Sequence, residues 1–195
     1  MAFNINEFRK LGLTNGGVRP SLFEVVISPN IGEDSATLTK FTFTCTASEI
    51  PAATIGSIDV GYFGRQIKLA GDRTFSDWTV TVLNDEDFSV RNMFEAWSNQ
   101  INQFVGNVKL SNGNSYKNGS AIVTQYGKSG DKLRSYEFVG IFPINIANIG
   151  LSWDETNRIQ TFDVTFSYDY WVPLVTGSTA LPIDTGMPGG TRAPI

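Results

Sequence analysis

Apolar and polar residues alternate one by one through much of this chain, and a chain so patterned has few options other than sheet. Side chains on a β-strand point to opposite faces in turn, so period two marks a strand with one face on a core and the other in water. In QTFDVTFSYDY, Phe162, Val164, Phe166, Tyr168 and Tyr170 face one way. Thr161, Asp163, Thr165, Ser167 and Asp169 face the other. As one strand this run exceeds about 30 Å at roughly 3.3 Å per residue. DWTVTVL repeats the pattern, with Trp78, Val80 and Val82 opposite Asp77, Thr79 and Thr81. KFTFTCTA reads the same way: Phe41, Phe43, Cys45 and Ala47 oppose Thr42, Thr44 and Thr46, and Cys45 is most simply a small buried apolar residue.

Further strands are expected at Leu22–Ile27, around Ile67 and Leu69, at Ala121–Tyr126 and at Leu133–Phe142. Turn chemistry separates them at Ser28-Pro29-Asn30, Asn112-Gly113-Asn114, Asn118-Gly119 and Ser129-Gly130-Asp131. One segment departs from period two. Val90, Met93, Phe94, Trp97, Ile101 and Phe104 recur at helical spacing behind Asp85, Glu86 and Asp87, whose carboxylates suit free amides and the positive end of a helix dipole. The spacing predicts one helix over about 88–103. Its aromatic stripe is read as core, since a helix on a β layer must bury one face. The class is mainly β with one flanking helix.

At 195 residues the chain fits a single domain. An extended N-terminal segment is expected over about 1–18 and a Pro- and Gly-rich arm over about 172–195. The N-terminus lacks the unbroken apolar core of an export signal, and no stretch approaches the roughly 18 apolar residues of a membrane span. No membrane anchoring is therefore expected.

Composition narrows the function. The chain contains no His, which removes imidazole bases, Ser-His-Asp and Cys-His relays and His-containing zinc sites. Its one cysteine, Cys45, excludes an internal disulfide and multi-Cys metal sites. A net charge of -4 disfavours a general phosphate-neutralising surface. No nucleotide or calcium motif occurs, and no cofactor or metal is expected. Asn84-Asp85-Glu86-Asp87 is read as capping the helix. Asp154, Glu155, Asp163 and Asp169 are more simply turn and strand-face residues than a catalytic pair, so no enzymatic activity is expected.

Charged residues make up only 17% of the chain against a usual share of about 25%, a composition suited to a surface meant for contact. Residues 48–74 are rich in Gly and small residues yet carry Ile50, Ile55, Ile58, Val60, Tyr62 and Phe63. Solvated loops rarely hold so many apolar groups, so this long loop is expected to bury itself against another subunit. Arg65, Lys68 and Arg73 lie in the same stretch, either to meet phosphate or to pair with acids on a neighbour.

The segments GRQIKLAGDRTFSDWTVTVLNDEDFSVRNMFEAWSNQIN, from Gly64 to Asn102, and FVGIFPINIANIGLSWDETNRIQTFDVTFSYDYW, from Phe138 to Trp171, resemble the major tail tube proteins of contractile-tailed bacteriophages of the T-even type. RPSLFEVVI at Arg19–Ile27 is an earlier echo. The resemblance implies a β-sandwich or barrel with one flanking helix, a fold shared with the type VI secretion tube protein, whose characteristic stretches are missing here. It further implies a structural virion protein, made in the host bacterial cytoplasm. Such subunits form hexameric rings that stack into the inner tube of the tail, beside a sheath protein, a tape-measure protein and baseplate, initiator and terminator proteins. The tube conducts DNA without binding it specifically.

If the polar strand faces join across a ring, the bore is lined by Thr42, Thr44, Thr46, Asp77, Thr79, Thr81, Asp163, Thr165, Ser167 and Asp169, hydrated and weakly acidic. The alternative turns them toward solvent or the sheath. Two other functional readings stand beside the tube subunit. One is a tube initiator or terminator of the same fold. The other is a β-sandwich carbohydrate-binding module using Trp78, Trp153, Trp171 and tyrosines to stack on sugars.

Overall fold

The computed structural model describes residues 4–29, 31–32, 34–109, 115–117 and 119–174. A short helical turn α1 (Ile5–Glu7) runs into a π-helical Phe8–Gly12. The N-terminal segment expected to be extended is thus helical over these residues, capped by Asn4, whose side chain accepts from the Asn6 amide at 3.1 Å. Then follow β1 (Phe23–Ser28), α2 (Ser35–Thr44), β2 (Cys45–Ser48), β3 (Ala53–Tyr62), β4 (Arg65–Phe75), β5 (Trp78–Leu83), α3 (Ser89–Ile101), a 3-10 turn (Ser115–Lys117), β6 (Gly119–Tyr126), β7 (Lys132–Ile146), β8 (Thr161–Ser167) and β9 (Tyr170–Leu174). Of the expected C-terminal arm, 172–174 belong to β9 and the rest lies outside the described residues.

Seven strands form one antiparallel sheet in the order β1-β6-β7-β8-β5-β2, with β9 also paired to β7. The sheet stays open, its edges β1 and β2 unpaired with each other. β7 is the spine: Ser135–Val139 pairs with β9, and Phe142–Ile146 pairs with β8. Gly140, at φ 70°, marks the corner between these halves. The fold across that corner brings inner faces together, so that Trp78 of β5 stacks on Phe138 of β7 with ring centroids 4.4 Å apart.

One buried cluster holds the core, including Val80, Val82, Phe162, Val164 and Phe166 from the alternating strands. From α3 it takes Val90, Met93, Phe94 and Trp97, the stripe read from helical spacing. That helix stops at Ile101, and Phe104, placed in the stripe by spacing, lies beyond it and is exposed. Asp87 Oδ1 accepts from the Ser89 amide at 3.1 Å, fulfilling part of the expected capping role.

Two strand expectations need correction. KFTFTCTA is not one strand: α2 occupies it through Thr44, and only Cys45 onward is sheet. Leu38 and Phe41 pack on the core from α2 while Phe43 points to solvent. The threonines fit a helix because their hydroxyls donate back to carbonyls four residues earlier, Thr42 to Leu38 and Thr44 to Lys40. QTFDVTFSYDY likewise breaks after Ser167. The chain turns through Tyr168 and Asp169 to pair with the other half of β7, and Tyr170 leaves the buried face.

A candidate interface between subunits

Residues 48–74 are not an irregular loop. β3 and β4 form a two-stranded hairpin apart from the main sheet, with nearly every residue exposed. β2 leads into β3 and β4 leads into β5, so the hairpin prolongs the β2–β5 ribbon outward from the body. Indole donors fix its root: Trp78 Nε1 to the Glu49 carbonyl at 3.0 Å and Trp171 Nε1 to the Ala52 carbonyl at 3.2 Å. At the tip Tyr62 pairs with Arg65, leaving a two-residue turn of Phe63 (φ 42°) and Gly64 (φ 78°). Positive φ at both central residues is the turn whose twist matches a hairpin.

Register sorts the expected contact residues by face. Ile58 pairs with Leu69 and Val60 with Ile67, placing four apolar side chains on one face, continued by Tyr62 and Arg65. Asp59 pairs with Lys68 on the other face. An irregularity between Ile55 and Ser57 interrupts the ladder, and Ile55 pairs with Arg73. By strand alternation Ile55 shares the side of Asp59, not of Ile58. Ile50 lies before β3 and is half exposed.

The polar residues divide as well. Thr46 Oγ donates to the Thr81 carbonyl at 3.3 Å, Thr81 Oγ donates to Asp163 Oδ1 at 2.7 Å, and the Thr79 and Thr165 hydroxyls share a bond at 3.3 Å. With Ser167 these form the outer face of β2, β5 and β8, and Asp77 lies just before β5. Thr42 and Thr44 do not join that face, because they sit on α2. Nor does Asp169, which lies beyond β8 and accepts from Lys117 Nζ at 2.9 Å. Of the tryptophans considered for sugar stacking, Trp78 is core and Trp171 is partly buried at the hairpin root, leaving Trp153 fully exposed.

Sequence reasoning missed two features. Lys40 Nζ donates to Asp85 and Asp87 at 2.5 and 2.6 Å, tying α2 to the approach of α3. The ion pair raises the Lys40 pKa and lowers that of Asp85, while Asp87 falls to about 2. With α2 read as a strand, nothing brought Lys40 near these acids. The second feature is an exposed apolar loop between β7 and β8, where Leu151, Trp153 and Ile159 border a cavity of about 360 Å³. Among the described residues no group of three or more His, Cys, Asp or Glu is placed to hold a metal, and no helix is long and apolar enough to cross a membrane.

Comparison with known proteins shows the family to which this chain belongs. The phage tail tube protein family model matches residues 18–174. Tail tube protein gp19 of Enterobacteria phage T4 is 42% identical over 158 residues, spanning 78% of this chain and 90% of that protein. The tail tube protein of Serratia phage KSP90 is 24% identical over 166 residues, spanning 84% and 93%. In fold, the chain is similar to a chain of the anti-feeding prophage baseplate (TM-score 0.62, 10% identity, 81% of this chain and 95% of that one). It is also similar to a chain of the sheath–tube complex of an extracellular contractile injection system (TM-score 0.58, 12% identity, 90% and 100%). With a family match across most of its length and a relative this similar, the chain belongs to the phage tail tube proteins, as a structural virion component and not an enzyme.

Proposed function

We propose that this protein assembles into hexameric rings which stack head to tail into the inner tube of a contractile tail, and that the tube conducts DNA during ejection. The exposed hairpin carries the reading. Ile58, Val60, Ile67 and Leu69 share one face that no element among the described residues covers, and an apolar face of this kind on a subunit of a polymeric structure is explained by a neighbouring copy. A contact between unlike surfaces propagates instead of closing, as stacked rings require. Ile50, Ile55, Tyr62, Phe63, Arg65, Lys68 and Arg73 belong to the same contact region.

The outer face of β2, β5 and β8 then lines the bore with Thr46, Thr79, Thr81, Asp163, Thr165 and Ser167. No Lys or Arg occurs in those strands. A hydroxyl-rich, weakly acidic wall repels phosphate within a screening length of about 8 Å at physiological salt, so DNA passes without adhering. The tube meets a sheath on its outside and a baseplate initiator and a terminator at its ends, and it assembles in the host cytoplasm around a tape-measure protein.

Electron microscopy of the purified protein at rising concentration tests the reading. Six-fold rings and tubes are expected, and a monodisperse monomer at every concentration overturns it. Phage carrying Asp163→Lys should still build tails but eject DNA more slowly. Unchanged ejection kinetics would remove Asp163 from the bore.

A further inference from the structure

We infer that the hairpin of one copy docks on the β7–β8 loop, residues 147–160, of the next copy along the tube axis. The inference rests on the tube reading and names the receiving surface. The hairpin leaves the sheet where β5 begins at Trp78, and β8 ends beside it, Phe166 pairing with Trp78. β5 finishes at Leu83 opposite Thr161, where the 147–160 loop enters β8. The two exposed apolar surfaces therefore sit at opposite ends of the same strands, separated by the length of β5, about 17 Å at roughly 3.3 Å per residue. A surface at each end of one subunit is the arrangement a head-to-tail contact needs.

Chemistry matches geometry. The hairpin presents Tyr62 and Phe63 at its tip, and the loop offers Leu151, Trp153 and Ile159 around an open cavity of about 360 Å³, room for an aromatic side chain. Trp153 is fully exposed in the isolated chain. Charge is complementary: on the hairpin Arg65, Lys68 and Arg73 outnumber Asp59 and Asp72, and on the loop Asp154 and Glu155 outnumber Arg158. Opposite potentials at the two ends favour stacking in one polarity and disfavour the contact of two like ends.

A photo-crosslinking amino acid in place of Tyr62 tests the inference, with cross-linked peptides mapped by mass spectrometry in tubes and in dissociated rings. Cross-links to residues 147–160 of another copy, present in tubes and absent from rings, are expected. Tubes whose cross-links map to any other surface overturn the docking site and leave the tube reading standing. A wild-type protein that forms no tubes overturns both. Trp153→Ala supplies a second measurement: the melting temperature should not move, since the side chain is fully exposed, while the critical concentration for tube growth rises at least tenfold. An unchanged critical concentration also overturns the inference.

Discussion

The carboxylate of Asp169 fills the space that a Cβ on Gly140 would need, since a methyl there would lie 2.5 Å from Asp169 Oδ2. Gly140 has φ 70°, the left-handed region that a side chain disfavours. The Asp169 amide donates to the Val139 carbonyl at 3.0 Å, pinning the break between β8 and β9 against the corner of β7. Gly140→Ala should therefore cost about 1 to 3 kcal/mol, from backbone strain together with the clash. Urea denaturation reads the loss. Adding Asp169→Ala should recover the part due to the clash and leave the part due to φ.

That corner also explains what the sequence hid. Period two located the buried faces of β5 and β8, and helical spacing located the α3 stripe, because those residues meet the core through local pattern alone. Period two ran straight through Tyr168 and Asp169, because the break comes from pairing with a distant part of β7. For Phe41 to Thr44 the same alternation is compatible with a helix, where Leu38 and Phe41 fall on one side, and tertiary packing decides. The apolar content of 48–74 was legible, and the structure leaves those side chains exposed. Its second strand, around Ile67 and Leu69, was legible as well, but the hairpin was not, because the turn is built on Phe63-Gly64 in place of the usual Asn-Gly or Asp-Gly.

The hairpin and the helix should fail in opposite ways. Ile58 is 54% exposed on an arm clear of the core, so Ile58→Lys should leave thermal unfolding nearly unchanged while suppressing tube formation through an unpaired charge at the contact. Trp97 is fully buried against Phe166, and Trp97→Ala should cost about 3 to 5 kcal/mol, lowering folded yield before any assembly defect is seen. Denaturation midpoints and sedimentation of polymer distinguish the two outcomes.

The link between Lys40 and the acids before α3 gives a pH dependence with a definite sign. Hydrogen bonding to Lys40 holds Asp85 and Asp87 below the ordinary carboxylate range, Asp87 at about 2. Their stabilising effect is complete above the unfolded value of about 3.9 and fades as pH falls toward 2. The Lys40 pKa is raised, chiefly by the bond to Asp85, so its share is present below about 10.5 and is lost only as pH climbs beyond that. Lys40→Met should flatten the dependence of stability on pH between about 2 and 4 relative to wild type, and a mutant whose acid limb is as steep as wild type would show that the link carries nothing. The effect is small, as for exposed ion pairs generally.

Phe63 separates turn geometry from contact. It holds φ 42° at the first position of the hairpin turn, is 92% exposed, and touches Tyr62 edge-on at 4.6 Å between ring centroids. A bulky residue in the left-handed region is strained, whereas Asn tolerates it. Phe63→Asn should therefore tighten the isolated hairpin, seen as slower amide hydrogen exchange at the paired residues Val60 and Ile67. The same change removes the aromatic ring from the tip, so the critical concentration for tube growth should rise severalfold even as the hairpin becomes more ordered. If the variant polymerises as well as wild type, the Phe63 ring contributes nothing to the proposed contact at the tip.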